Sequence, residues 1–168
     1  MIHDGIEKRD QKNSQLRRNI DKLIYDGHSF LKQNLLDLDV HDYHYIINEA
    51  IEELGLDHNI VIQLLEDYII QILKAKVTFL TLINDLKNEE LKNLPLDYTE
   101  LRDLAHKNLG VARNLRIVDA QKILTELLKK DDLDYLLLCV KALEVSAVKL
   151  NPLCAYETLN LIEVKNSI

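Results

Sequence analysis

The sequence predicts an all-α protein, an antiparallel four-helix bundle with an N-terminal helical extension. Three observations predict it. The 168 residues include only 4 Gly and 2 Pro, too little turn material for the strand reversals of a sandwich or barrel. Apolar residues make up 47% and charged residues 29%, a balance that supports a buried core under a solvated surface and makes disorder a poor description. Through most of the chain the apolar residues recur at spacings of three and four. The length fits one domain of about 100 to 200 residues. It divides into a helical extension over 1–40, a bundle over 41–152 and a C-terminal tail over 153–168.

Residues 1–13 are mostly polar and are expected to fray. Leu16, Ile20, Leu23 and Ile24, then Phe30, Leu31, Leu35 and Leu36, recur at helical spacing, with Gly27 a candidate break between two pieces. Asp39 is the candidate N-cap of a helix over 41–54 that Gly55 ends. From the next candidate cap, Asp57, a pattern free of Pro and Gly runs to Leu86. Leu65, Tyr68, Ile72, Phe79 and Ile83 form one apolar stripe on this helix; Ile70, Leu73, Val77 and Leu80 form a second, about 140° round the axis. A helix apolar on two sides is covered on two sides, so the N-terminal helices are expected on the second stripe.

The segment NEELKNLPLD reads as a loop, followed by Asp97 as N-cap with Glu100 at the capping-box position. Helices are expected over 98–116, over 119–130 with Lys129 and Lys130 at its C-terminal end, and over 132–150. The last is capped by Asp131 or Asp132 and stopped by Pro152. Four consecutive helices with short connections describe the bundle.

With 21 basic against 28 acidic residues, the formal charge of −7 repels phosphate backbones and anionic membranes, so neither nucleic acid nor membrane is an expected partner. Cys139 and Cys154 are too few for a disulfide framework and lack zinc-ligand spacing. No apolar run reaches the roughly 20 residues of a membrane span, and the polar start lacks the apolar segment of a signal peptide. A cytoplasmic location is expected. No Gly-rich phosphate loop is present, which argues against nucleotide chemistry. His41 and His44 with Asp42 and Glu49 are a weak metal candidate, and no metal site is assigned. The acidic pairs Glu52 and Glu53, and Glu66 and Asp67, read as solvated helix faces rather than an acid and base.

The helix over 98–116 carries the chemistry. With His106 as the origin of its wheel, Leu104, Val111 and Leu115 lie within about 40° of the opposite side, and Thr99, Arg102, Gly110 and Arg113 within about 40° of the histidine. The imidazole therefore points outward. A glycine inside a helix costs roughly 1 kcal/mol relative to alanine, and Gly110 leaves a bare patch one turn beyond His106 where another protein can approach closely.

The stretch LRDLAHKNLGVARNLRI resembles the phosphorylation-site helix of histidine phosphotransfer (HPt) domains, whose pattern is Ala-His, then Gly, Ala and Leu four, six and nine residues after the histidine. Ala105, His106, Gly110, Ala112 and Leu115 match it. The run EAIEELGLDHNIVIQLLEDYIIQIL is similar to that family's lead-in and first long helix, and the likeness covers residues 46–150. The resemblance implies a phosphocarrier of a two-component phosphorelay, with no autonomous catalytic site. His106 would be the phosphoacceptor, and a response-regulator receiver domain and/or a sensor histidine kinase the partner. No cofactor is expected on this chain; Mg²⁺ is expected on the receiver. The extension also offers a surface for a homodimer. Where the family has a lysine three residues after the histidine, this chain has Leu109, so Arg102 and Arg113 are the candidates to balance phosphate charge. Lys107, displaced about 100° round the axis, and Gly110 complete the candidate phosphate-neighbouring or docking set. Asn108 points into the apolar face and requires a partner. Arg116 stands where the family often has a glycine. A non-catalytic adaptor that binds a receiver without carrying phosphate is the alternative.

Overall fold

In the computed structural model, which describes residues 2–166, the regular structure is helical: α1 (Ile2–Asn34), α2 (Ile47–Leu54), α3 (His58–Leu91), α4 (Thr99–Asn114), α5 (Val118–Lys129), α6 (Leu133–Leu150) and α7 (Pro152–Asn166). A single 3₁₀ turn, Leu36–Leu38, follows α1, and no strand occurs among the described residues. Met1, and Ser167 and Ile168 at the end of the expected tail, lie outside them.

The four expected helices form the bundle. Each of α3, α4, α5 and α6 packs on the next, and α6 closes the ring against α3. Ion pairs show the antiparallel sense: Lys87 near the end of α3 meets Asp134 at the start of α6, and Lys76, earlier on α3, meets Glu144, later on α6, at 3.0 Å. The first stripe of α3 is the core, with Tyr68, Ile72, Phe79 and Ile83 buried against Leu101, Leu109, Ile123, Leu124, Leu136 and Leu143. Each such side chain contributes about 1.5 to 3 kcal/mol on burial.

Several boundaries differ from expectation, each for a physical reason. Helix α1 is continuous from Ile2, so residues 2–13 are helical rather than frayed, although residues 5–15 are exposed throughout. Gly27 does not break it. The glycine is instead a contact point: a Cβ there would stand 2.9 Å from Val145 Cγ1 of α6, so only glycine lets the two helices come this close. Asp39 caps no helix; it takes a left-handed conformation (φ 57°) and closes the 3₁₀ turn. The expected helix over 41–54 begins only at Ile47. Ahead of it burial alternates, with Tyr43 and Tyr45 half-buried and Asp42, His44 and Ile46 exposed, which is the period-two pattern of extended chain. Gly55 does end α2, at φ 64°, with its N–H donating to the Ile51 carbonyl. Helix α3 runs five residues past Leu86 and stops where Asn93 takes a left-handed φ of 56° and the Leu94 N–H reaches back to Glu89.

The expected tail is helix α7. Pro152 stops α6 but also opens α7, because proline lacks only an N–H that a first helical residue leaves free. This helix takes the place expected of the extension: α7 packs on α3 and α6, while α1 packs mainly on α6 and α7. The second stripe of α3 is consequently only part-covered. Leu73 is buried, Ile70 and Val77 stay exposed, and Leu73, Val77 and Leu80 line an open groove of about 640 Å³ with Leu23 of α1 and Leu159 and Ile162 of α7. No helix among the described residues is long and apolar enough to cross a membrane.

Candidate functional site

The local sequence starts α4 where the site needs it. Pro95 keeps the preceding chain out of the helical region, and Asp97 then accepts hydrogen bonds from both the backbone N–H (2.9 Å) and the hydroxyl of Thr99. Those bonds hold the Asp97 carboxyl below its ordinary value, the hydroxyl contributing most. The N-cap position itself is Tyr98, one residue after the expected Asp97, and makes no side-chain cap bond.

From there α4 divides into two faces. Leu101, Ala105, Asn108, Leu109 and Ala112 are buried, whereas His106, Lys107, Gly110 and Arg113 are exposed. His106 therefore stands outward in the middle of a bundle helix, as its wheel position requires. A Cβ built on Gly110 would meet nothing within 4 Å, so the surface one turn beyond the imidazole is bare and open.

The two arginines, equivalent on the wheel, are separated by the structure. Arg102 is committed to the bundle: its guanidinium donates to the Leu127 and Lys130 carbonyls and to Asp131 Oδ1 (2.9 Å), and lies 4.6 Å from the Tyr98 ring centroid. It clamps α4 to the α5–α6 connection through three of its five N–H donors, so most of its hydrogen-bonding capacity is spent within the bundle. Arg113 is exposed, and its guanidinium takes no hydrogen bond or ion pair among the described residues. It borders a shallow depression with Leu38, Val118, Gln121, Lys122 and Thr125. Leu109 is only 2% exposed and belongs to the core.

Asn108 finds its required partner. Its Nδ2 donates to the Leu104 carbonyl (2.9 Å), and its Oδ1 accepts from Gln71 Nε2 of α3 (3.3 Å). A buried amide without these would cost about 1 to 3 kcal/mol. Arg116 adopts a positive φ of 63°. Its guanidinium reaches Glu53 (3.2 Å) and the Arg113 carbonyl (2.9 Å).

The other candidates do not converge. His41 pairs with Asp42 (3.1 Å) and faces His28 with ring centroids 6.3 Å apart, while His44 is exposed. Among the described residues no three His, Cys, Asp or Glu side chains gather around a metal-sized space. Burial pushes the Cys139 thiol up to about 12, which suits a packed side chain and not a nucleophile.

Sequence reasoning missed two residues that support this face. Tyr45 Oη donates to the Leu115 carbonyl (2.8 Å), and Tyr43 Oη donates to the Arg116 carbonyl (3.3 Å), both at the end of α4. The alternation through HDYHYI was the available signal for the extended chain that aims both rings inward. No family model, no curated protein and no solved structure matches this chain.

Proposed function

We propose that this protein is a histidine phosphocarrier of the HPt type, acting in the cytoplasm between a receiver domain and a second receiver or a kinase. The observation that carries the reading is the outward imidazole of His106 at mid-helix on a four-helix bundle, beside the open surface at Gly110. A neutral imidazole is a competent nucleophile at pH 7. In the forward step a ring nitrogen uses its lone pair to form the N–P bond while the P–O bond to the partner's aspartate breaks. The aspartate leaves as carboxylate, and the phosphorylated ring, now a cation, releases its one remaining N–H proton to water. Phosphoryl transfer requires mainly in-line positioning and charge neutralisation. The bundle supplies a fixed ring, and the receiver supplies the aspartate and its Mg²⁺. Arg113, two helical turns on, and Lys107, to one side, are exposed cations on the same helix as the ring.

Incubation with a phosphorylated receiver domain should give an acid-labile, alkali-stable label that His106→Gln abolishes with helicity unchanged. Label persisting in that variant would remove the assignment. The commitment of Arg102 to the α5–α6 connection and the burial of Leu109 favour one second reading: an adaptor that docks a receiver through the same face without taking phosphate. Receiver binding by a parent protein that takes no label would establish that alternative.

A further inference from the structure

Between α1 and α2 the chain crosses the turn that ends the histidine helix. Its start is held firmly: Val40 is wholly buried, its carbonyl accepts from Lys149 Nζ of α6 (3.1 Å), and the Asp39 carbonyl accepts from Lys122 Nζ of α5 (3.3 Å). Upstream, Leu31 and Leu35 anchor the end of α1 in the same core. Beyond Val40 the two tyrosines reach the α4–α5 turn. Tyr45 Oη donates to the Leu115 carbonyl, and Tyr43 Oη donates to the Arg116 carbonyl while accepting from the first amide of α5, Val118 (3.3 Å). Glu53 of α2 adds an ion pair to Arg116.

That turn needs outside support. It is only three residues long, the Leu115 and Arg116 carbonyls lie beyond the last bonds of α4, and Arg116 holds a left-handed φ that a residue with a side chain adopts reluctantly. Two phenols from about 70 residues earlier in the chain hold both carbonyls. Arg113 lies two residues before the turn and shares its carbonyl with the Arg116 N–H (3.2 Å), so slack in the turn reaches Arg113 directly.

We infer that residues 40–45 form a positioning strap for the His106 helix, in which Tyr43 and Tyr45 fix the α4–α5 turn and so place Arg113 and the last turn of α4 against a docked partner. The kinetic part rests on the phosphocarrier reading; the mechanical part does not. The strap couples the N-terminal extension to the His106 face without contributing an atom to the reaction. Tyr43 and Tyr45 are positioning residues, and phenylalanine at both keeps the rings while deleting the bonds.

The test uses the full chain, parent against the Tyr43→Phe/Tyr45→Phe double variant. Amide hydrogen exchange is read over residues 111–118 and, as internal control, over the core of α3 and α6. Phosphorylation of His106 is timed with two donors, a phosphorylated receiver domain and phosphoramidate, whose P–N bond breaks with loss of ammonia. The strap predicts exchange over 111–118 faster by about tenfold with the control unchanged. It also predicts transfer from the receiver slower by about three- to tenfold, while the rate with phosphoramidate, which docks on nothing, stays the same. A general loss of stability would instead move the control amides, and both donors would be affected alike. Unchanged exchange over 111–118 overturns the strap. Faster exchange with receiver transfer unchanged overturns its link to the site. A parent that takes phosphate from neither donor overturns the carrier reading together with the kinetic part, and the exchange result still decides whether the tyrosines hold the turn.

Discussion

Arg102 and Arg113 occupy the same side of α4, and truncating each to alanine should produce opposite phenotypes. Arg102 is mostly buried along its stem and loses three acceptors at once, the Leu127 and Lys130 carbonyls and the Asp131 carboxylate, together with its stacking on Tyr98. A hydrogen bond from a charged donor contributes roughly 1.5 to 3 kcal/mol. The exposed end of the Asp131 pair adds about 0 to 1 kcal/mol, and the aromatic contact about 0.5 to 1 kcal/mol. Because water replaces part of what is lost, Arg102→Ala should cost about 2 to 4 kcal/mol, a fall of roughly 5 to 15 °C in Tm for a chain of this size. Arg113 is exposed and its guanidinium has no partner among the described residues, so Arg113→Ala should leave Tm within about 2 °C. Its effect should fall on transfer. A charge-assisted contact made only in the transition state is worth about one to two decades in rate. Thermal unfolding by circular dichroism and timed phosphotransfer from a receiver domain read the two effects separately. An Arg102→Ala protein of parental stability, or an Arg113→Ala protein that accepts phosphate at the parental rate, would refute the separation of roles drawn from the geometry.

Other outcomes follow from neighbouring features. Gly110→Ala should raise stability by about 0.5 to 1 kcal/mol, since helical alanine is favoured over glycine and the added methyl meets only open space; Gly110→Leu should keep the fold yet weaken receiver binding, measured by calorimetry. Burial alone would raise the Glu144 carboxyl, but Lys141 and Lys76 more than offset it and hold it below the ordinary glutamate value. Its contribution is therefore present at neutral pH and lost as pH falls through that lowered value, so Glu144→Gln should flatten this part of the acid limb of a stability–pH curve. At neutral pH the same substitution should cost about 1 to 3 kcal/mol in urea denaturation, because both lysines lose a charged acceptor. Deleting residues 1–34 should strip the cover from α6 at Val145 and from Leu31's neighbours in the core, giving a large stability loss or aggregation in size-exclusion chromatography; a monomeric truncation of parental Tm would show that α1 is dispensable to the fold.

What the sequence determined by itself is what rests on local pattern. Apolar spacing and the scarcity of Gly and Pro placed α3, α4, α5 and α6 to within about five residues, and Asp57 and Asp132 stand at the N-caps of α3 and α6, because helix periodicity and caps are set by neighbours in the chain. The outward direction of His106 and the burial of Asn108 followed from the same wheel. The tertiary structure decided what the wheel could not. It divided Arg102 from Arg113, since acceptors 25 to 29 residues away claim one guanidinium and none among the described residues claims the other. It gave the cover of α3's second stripe to α7 rather than to α1, because which of two helices docks on a face depends on shape, here on a glycine that lets α1 lie against Val145. It also turned HDYHYI from the expected helix into extended chain, where two phenols outweigh a weak helical preference by satisfying carbonyls about 70 residues downstream. Long-range partners of this kind leave no local mark, and only packing reveals them.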